Sequence, residues 1–192
     1  ASHNPARYNG LKLVREKAIP ISSATGLLEI RDLAAGGAPR AARRGQKASW
    51  EGEVQDRYAH LFRGLFPASP GVEVCIDTGN GAAGAILPRI LEEQGVRFHP
   101  LFLEPDGRFP NHDPNPLIDA NLADLRRGLA SHPGAVGVAF DGDGDRVCFL
   151  DERGYVVRGD LTTALLAREL LGRHPGRPVL YDLRASHVVP ET

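Results

Sequence analysis

The middle of the chain alternates between short apolar runs and longer amphipathic segments. Runs rich in β-branched and aromatic residues predict strands, whereas segments with apolar residues three or four positions apart predict helices. Pro88 is expected to kink the first of these helices or to delay its start. This alternation predicts a layered α/β domain. The predicted order is strand 72–76, helix 82–95, strand 96–103, helix 119–132, strand 135–140 and strand 147–151.

The flanking segments predict further elements and two domain boundaries. Ser22, Ser23 or Thr25 is expected to cap a first helix and Asp160 a last one. The stretch 36–48 is polar and rich in glycine and arginine without aromatic residues, which favours a linker over a nucleic-acid patch. The flanking elements are a strand at 11–14, helices at 21–35, 53–66 and 160–174, and a strand at 178–183. We expect three units, at 1–49, 50–155 and 156–192.

Composition narrows the partners of the chain. Of its 192 residues, 42% are hydrophobic and 24% are charged, and the formal net charge is −1, which gives no general attraction to nucleic acid or to an anionic membrane. We therefore expect neither as a partner. Cys75 and Cys148 lie in strand-like apolar runs, and we expect them to be buried, reduced thiols rather than a disulfide. This use of cysteine favours a cytoplasmic location.

A glycine-rich segment, DTGNGAAG (77–84), follows a predicted strand and opens a predicted helix. Gly79, Gly81 and Gly84 fit the G-x-G-x-x-G pattern of dinucleotide-binding proteins, and Glu104 lies at a plausible distance for a ribose contact. The alternative is a tight turn that needs small residues for close packing. Asp77 would repel a pyrophosphate at this position, which favours the turn.

The segment AFDGDGDRVCFL (139–150) places three aspartates on alternate positions between two apolar runs. Asp141, Asp143 and Asp145 can converge on one cation if the backbone curls, and Gly142 and Gly144 permit that curl. An all-oxygen ligand set favours Mg²⁺ over zinc or copper. The other interpretation is an acidic hairpin turn in solvent, but such turns rarely collect three aspartates. We therefore predict a magnesium site with open positions for water or a phosphate oxygen.

Two neighbouring residues refine this interpretation. With Glu152, the aspartates imitate a calcium-binding EF-hand loop, but Arg146 occupies the position that needs glycine, and the flanks are predicted strands rather than helices. Arg146 is instead well placed to bind a phosphate with two hydrogen bonds. A cation with open positions beside an arginine is typical of phosphoryl transfer.

ASHNP at the start of the chain and DGDGDR at 141–146 together resemble the α-D-phosphohexomutases. The segments ASHNPARYNGLKLVREKAIPISSATGL, DTGNGAAG, PDGRFPNHDPNPL and FDGDGDR are similar to the phosphomannomutase/phosphoglucomutase branch, in its order and over essentially the whole chain. The resemblance implies layered α/β domains with mixed sheets, in an incomplete chain. It also implies that the glycine segment is a βα turn without a dinucleotide.

The resemblance implies a Mg²⁺-dependent isomerase that interconverts hexose 1-phosphates and hexose 6-phosphates through a phosphoserine and a bisphosphate. Ser2 would carry the phosphoryl group. Mg²⁺ would be held by Asp141, Asp143, Asp145 and a phosphoryl oxygen on Ser2, while Arg146 would neutralise the phosphoryl group. The substrates would be mannose or glucose phosphates.

Further roles follow from the same resemblance. Lys12 would be the general acid or base for the sugar hydroxyl, which would need a pKa lowered by burial in a closed cleft. His3 and Asn4 would position the loop and the transferring group.

Members of this family resemble four-domain chains, whereas this one begins at the phosphoserine loop and stops early in the third domain. We therefore expect little or no mutase activity from the 192-residue chain alone. The alternative function is a non-catalytic fragment, or truncated gene product, that binds Mg²⁺ or phosphate.

Overall fold

The structure is a computed structural model that describes residues 7–37, 45–46, 48–63 and 71–192. A five-stranded sheet forms its centre, with the strand order β2-β1-β3-β4-β5. The strands are β1 (Glu73–Asp77), β2 (Arg97–Leu101), β3 (Val136–Phe140), β4 (Val147–Leu150) and β5 (Val156–Val157).

Pairing within the sheet is mixed, as the family resemblance implied. β1 pairs in parallel with β2 on one side and with β3 on the other. β4 runs antiparallel to β3, and β5 antiparallel to β4. The predicted sequence of strands and helices through the middle of the chain is confirmed.

Helices join and flank these strands. Pro88 lies in the first turn of α3, where its missing amide hydrogen breaks no helical bond, so the late start is confirmed. Before it, Ala82–Ala85 forms a short 3₁₀ turn. The helices are α1 (Leu27–Ala35), α2 (Glu51–Leu61), α3 (Leu87–Glu93), α4 (Ala123–Ser131), α5 (Gly159–Arg173) and α6 (Val188–Glu191). Among the described residues, none of the helices is long and apolar enough to cross a membrane.

The connections around β1 place the candidate site. The chain leaves β1 through α3 to β2 on one side, and returns through α4 to β3 on the other side. Right-handed crossovers in opposite directions put α3 and α4 on opposite faces of the sheet. The strand order therefore reverses between β1 and β3, and the carboxyl ends of such strands form a crevice where α/β proteins bind ligands.

The apolar core lies between α4 and one face of the sheet. Leu125 and Leu129 of α4 pack on this face, and Leu122 extends the contact just before the helix begins. Cys75 of β1 and Cys148 of β4 are buried in the same cluster as free thiols, which confirms the cysteine prediction. Burial raises the pKa of both thiols, so they are poor nucleophiles at neutral pH.

Two predicted strands are wrong. In the segment 11–14, Val14 makes one isolated bridge to Pro20, because Lys17 and Ala18 adopt positive φ angles that fold the chain back at once. The segment 178–183 has a strand-like pattern but forms no ladder in the described structure, and its Leu183 is 99% exposed. An extended segment without a partner edge gains no strand hydrogen bonds.

Both predicted helix caps need correction. Ser22 and Thr25 close a short 3₁₀ turn, in which the amide of Ser22 donates to Thr25 Oγ1 at 2.8 Å, and α1 begins only after Gly26. Helix α5 is preceded by Arg158, so Asp160 lies inside its first turn. There the Asp160 carboxylate accepts hydrogen bonds from Arg158 and from the amide of Ser186. The short elements β5 and α6 were not predicted.

Candidate metal and phosphate site

Two chain segments meet at the crevice between the carboxyl ends of β1 and β3. One is the β1 turn, defined here as residues 78–82, and the other is the aspartate loop, residues 141–146. The amide of Ala82 donates to the carbonyl oxygen of Gly142 at 2.9 Å, which joins the two segments. Gly144 has φ +74°, and a Cβ there would lie 3.2 Å from Ala83 Cβ, so the loop needs glycine for both its curl and its packing.

The three aspartates of the loop converge as predicted. One carboxylate oxygen from each of Asp141, Asp143 and Asp145 lies within 4.8 Å of the other two. Asp141 is buried, whereas Asp143 and Asp145 have side-chain exposures of 35% and 55%. The cluster is therefore anchored at the end of β3 and open to solvent on its outer side. The flanking elements are strands β3 and β4, which exclude an EF-hand.

Asp141 has an unusual environment for a carboxylate. Its Oδ1 accepts a hydrogen bond from the amide of Arg146 at 3.1 Å, which closes the loop. Its Oδ2 is buried and has no hydrogen-bond partner among the described residues. A buried, unsatisfied carboxylate oxygen is costly in free energy, so its retention points to a ligand that supplies the missing interaction.

A hard divalent cation fits this environment. Mg²⁺ binds oxygen ligands at about 2.1 Å in an octahedron, which sets those oxygens roughly 3–4 Å apart. The carboxylate oxygens of the loop need only a small inward movement to reach that spacing. The orphaned oxygen of Asp141 and the all-carboxylate donor set therefore fit Mg²⁺, with coordination positions left for water or phosphate.

Lys12 reaches the aspartate loop from the N-terminal segment. Its Nζ lies 2.8 Å from Asp143 Oδ2 and 3.3 Å from Asp145 Oδ2, so its ammonium group occupies the outer side of the carboxylate cluster. The Lys12 side chain is 78% exposed, and its hydrogen bonds to the two carboxylates raise its pKa. The lowered pKa expected for a base in a closed cleft is therefore wrong for Lys12 in these surroundings.

Arg146 closes the same loop, and its side chain is 44% exposed. Its Nε is 3.9 Å from Asp141 Oδ2 and 3.9 Å from Asp145 Oδ1, distances too long for hydrogen bonds. The guanidinium group therefore remains available for an anion while it screens the clustered carboxylates. Lys12 and Arg146 thus flank the three aspartates from two different segments of the chain.

The glycine pattern serves packing, and a dinucleotide fits it poorly. A Cβ on Gly84 would collide with the carbonyl oxygen of Leu103, and one on Gly81 would lie 2.8 Å from the carbonyl oxygen of Gly142. The amides of the β1 turn also have protein acceptors. That of Gly79 donates to Asp77 Oδ1, and those of Gly81 and Ala82 donate to carbonyl oxygens. A pyrophosphate would need these amides free.

A buried ion pair lies behind the β1 turn and was not predicted from the sequence. His112, in the proline-rich loop 104–117, contacts the carboxylate of Asp77 at the end of β1, with 2.9 Å between His112 Nε2 and Asp77 Oδ2. Asp77 is only 1% exposed. One signal was available: β1 and β2 are parallel, so the segments that follow them lie at the same edge of the sheet.

The predicted site residues are thus brought together in part. Asp141, Asp143, Asp145, Lys12 and Arg146 form one cluster. Ser2 and His3 lie outside the described residues.

The fold and the site together define the class of this protein. A layered α/β domain carries, at its topological switch point, an acidic loop suited to a hard cation and flanked by two basic side chains. Comparison with known proteins finds relatives of one enzyme family. Residues 62–154 match the family model described as "Phosphoglucomutase/phosphomannomutase, alpha/beta/alpha domain II".

Curated relatives and solved structures agree with this match. The chain is 39% identical over 188 residues to a protein named "Phosphohexose mutases" from Xanthomonas campestris pv. campestris (strain B100), an alignment that covers 96% of this chain and 41% of that protein. It is 38% identical over 192 residues to a "Phosphomannomutase" from Salmonella typhimurium, covering 96% of this chain and 42% of the relative.

A solved phosphoglucomutase/phosphomannomutase family protein from Burkholderia thailandensis superimposes with a TM-score of 0.79 at 32% identity, covering 99% of this chain and 41% of that one. The chain is similar to phosphoglucomutase/phosphomannomutase family proteins over 96–99% of its own length, and it spans about two fifths of the length of these relatives. The predicted family and the mixed α/β fold are confirmed.

Proposed function

We propose that this chain supplies the phosphoserine and metal-binding part of a phosphohexomutase that interconverts hexose 1-phosphates and hexose 6-phosphates. The observation that carries the proposal is the aspartate loop, in which the buried Oδ2 of Asp141 has no partner among the described residues and lies beside Asp143 and Asp145. The names of the relatives support mannose or glucose phosphates as the substrates.

The aspartate loop would hold Mg²⁺ through Asp141, Asp143 and Asp145, with a phosphoryl oxygen on Ser2 as a further ligand. When bound, Mg²⁺ supplies positive charge that stabilises the transferring phosphoryl group. Arg146 adds a second positive charge, and its guanidinium group has the planar geometry that suits a phosphate. Its weak, long contacts to the carboxylates leave that group available.

The reaction would be a phosphoryl shuttle. The phosphoserine at Ser2 gives its phosphoryl group to the free hydroxyl of a hexose monophosphate, and the P–O bond to serine breaks as the new one forms. The resulting bisphosphate turns over, and its other phosphoryl group returns to Ser2. Lys12 takes and returns the proton of the sugar hydroxyl, and His3 and Asn4 position the phosphoserine loop.

The position of Lys12 supports its role, although its pKa in the described structure does not favour a base. Lys12 lies within hydrogen-bond distance of Asp143, next to the proposed metal site. A cation bound by the carboxylates would displace the ammonium group and remove the contacts that raise the pKa of Lys12. Lys12 would then be free to face the substrate.

We further propose a division of the chain at 1–49, 50–155 and 156–192. A cytoplasmic location is proposed because Cys75 and Cys148 are free thiols.

Intact-mass analysis with peptide mapping tests the phosphoserine. A full-length protein that contains this chain is incubated with a hexose 1,6-bisphosphate and Mg²⁺, and its mass is expected to rise by one phosphoryl group located at Ser2. The Ser2→Ala variant should gain nothing, and Asp143→Asn should lose the transfer while it remains folded. A protein that binds Mg²⁺ but leaves Ser2 unmodified would overturn the proposal and favour a non-catalytic metal-binding role.

A further inference from the structure

We infer that His112 is a positioning residue for the aspartate loop, acting through Asp77 and the β1 turn rather than by contact with metal or substrate. The inference rests on the proposed function in one respect, since it assigns the loop to Mg²⁺. Its physical basis is a continuous chain of hydrogen bonds and close packing from the proline-rich loop to Gly142 and Gly144.

The first step is the ion pair between His112 and Asp77. His112 Nε2 lies 2.9 Å from Asp77 Oδ2, and His112 Nδ1 lies 2.9 Å from the carbonyl oxygen of Asp113. Each ring nitrogen thus has an oxygen within hydrogen-bond distance, and the doubly protonated imidazole can donate to both. The hydrogen bond to Asp77 raises the pKa of His112 and so favours the protonated form. A carboxylate that is 1% exposed is therefore satisfied by His112 on one of its oxygens.

The second step leads from Asp77 into the β1 turn. The other carboxylate oxygen, Asp77 Oδ1, accepts a hydrogen bond from the amide of Gly79 at 2.8 Å. Gly79 has φ +54°, and a Cβ there would lie 3.3 Å from His112 Cε1. His112 thus restrains Gly79 twice, by orienting Asp77 and by occupying the space that a side chain at Gly79 would need. The turn then closes through the amide of Gly81, which donates to Thr78 O at 2.7 Å.

The third step joins the β1 turn to the aspartate loop. The amide of Ala82 donates to Gly142 O at 2.9 Å, and Gly81 approaches the same carbonyl so closely that a Cβ would lie 2.8 Å from it. On the other side of the loop, Ala83 packs against Gly144. The position of the loop backbone between Asp141 and Asp145 therefore follows the position of the turn.

The proline-rich loop supports the same turn at a second point. Asn111, next to His112, donates to Asn80 Oδ1 at 2.7 Å, and Asn80 Nδ2 donates to Glu104 O at 2.8 Å. Asn80 has φ +56°, a left-handed conformation that needs such support. With Asn111 and Glu104 retained, the β1 turn should still form without His112, so the loss of His112 should change the loop more than the fold.

The experiment compares three variants of the whole chain. His112→Ala removes the ion pair, and His112→Gln keeps an amide that can donate to Asp77. Leu129→Ala is the control, because Leu129 is 3% exposed in the core on α4 and its truncation destabilises the fold by a different route. For each variant we measure the Mg²⁺ dissociation constant by calorimetry, the free energy of unfolding in urea, and amide hydrogen exchange of Ala82 and Gly144 in EDTA.

We expect His112→Ala to weaken Mg²⁺ binding by about tenfold, as for other residues that orient metal ligands. Amide exchange at Ala82 and Gly144 should become faster. His112→Gln should restore much of the Mg²⁺ affinity and of the slow exchange. Leu129→Ala should leave Mg²⁺ binding and amide exchange unchanged, although it should lower the free energy of unfolding as much as His112→Ala or more. If Leu129→Ala reproduces the effects of His112→Ala, or if His112→Ala changes neither Mg²⁺ binding nor exchange, the inference is overturned.

The two proposals fail in distinguishable ways. Absence of Mg²⁺ binding in the unaltered chain would contradict the proposed function, while the exchange measurements in EDTA would still decide whether His112 positions the loop. Normal Mg²⁺ binding in His112→Ala with unchanged exchange would contradict only the role of His112.

Discussion

Replacing Asp141 by asparagine removes a buried charge from the aspartate loop and should stabilise the metal-free protein. Asp141 is fully buried, and its Oδ2 has no hydrogen-bond partner among the described residues. Leaving a buried charged group unsatisfied costs at least about 1–3 kcal/mol. In the variant, the side-chain oxygen of asparagine still accepts the hydrogen bond from the backbone amide of Arg146. Its NH₂ group remains buried without a partner, so only part of this penalty is recovered.

We expect Asp141→Asn to raise the free energy of unfolding in EDTA by about 1 kcal/mol, which for a chain of this size raises Tm by roughly 2–4 °C. In the presence of Mg²⁺, the unaltered chain should be more stable than Asp141→Asn. At a Mg²⁺ concentration 100 times the dissociation constant, the unaltered chain gains about 2.7 kcal/mol, whereas the variant gains much less. Urea unfolding followed by circular dichroism, with and without Mg²⁺, measures both quantities.

Asp145→Asn is the matched control for this experiment. It removes a carboxylate from the same loop, but the Asp145 side chain is 55% exposed and has no comparable desolvation penalty. We expect its stability in EDTA to stay within about 0.5 kcal/mol of the unaltered chain, with a reduced response to Mg²⁺. The reasoning is refuted if Asp141→Asn is less stable than the unaltered chain in EDTA, or if it gains as much from Mg²⁺.

Three further predictions follow from other parts of the site. Gly84→Ala places a Cβ against a backbone carbonyl oxygen and should lower the free energy of unfolding by about 1–3 kcal/mol. Gly128 lies within α4, where a Cβ would make only ordinary van der Waals contacts, so Gly128→Ala should raise the free energy of unfolding by about 0.5–1 kcal/mol. Urea unfolding of the two variants compares these effects. Because pairing with Asp77 raises the pKa of His112, this pair stabilises the fold fully below about pH 6.5, and its contribution is lost as pH rises through the pKa of the folded protein; unfolding between pH 5 and 9 should show this loss in the unaltered chain and not in His112→Gln. Lys12→Ala should tighten Mg²⁺ binding a few-fold in calorimetry, because the Lys12 ammonium competes with the cation for the same carboxylates; weaker binding would contradict that competition.

The regular part of the fold could be predicted from local pattern. The strand around Cys75 is a short apolar run, the helix that carries Leu125 and Leu129 is amphipathic, and both formed as expected. The segment 178–183 has an equally strand-like pattern, but no neighbouring edge pairs with it in the described structure. Periodicity reports which face a segment can bury, and it cannot report whether a partner strand is present.

The candidate site could be predicted where its residues are adjacent in sequence. Asp141, Asp143 and Asp145 lie on one loop, so their convergence follows from spacing alone. The pairing of Lys12 with Asp143 joins residues far apart in the chain, so local pattern gives no signal for it, and only the family resemblance assigned Lys12 to the site. The contact of His112 with Asp77 is of the same kind, since two loops that follow parallel strands meet only once the sheet has formed.

The central claim is that the aspartate loop binds its cation next to a phosphoryl group on Ser2. The most direct measurement is ³¹P magnetic resonance of the chain phosphorylated at Ser2, with paramagnetic Mn²⁺ replacing Mg²⁺. We predict strong broadening of the phosphoserine signal by Mn²⁺, its recovery on addition of excess Mg²⁺, and no broadening at the same Mn²⁺ concentration in Asp143→Asn. A phosphoserine signal that stays narrow while Mn²⁺ is bound to the aspartate loop would contradict the claim.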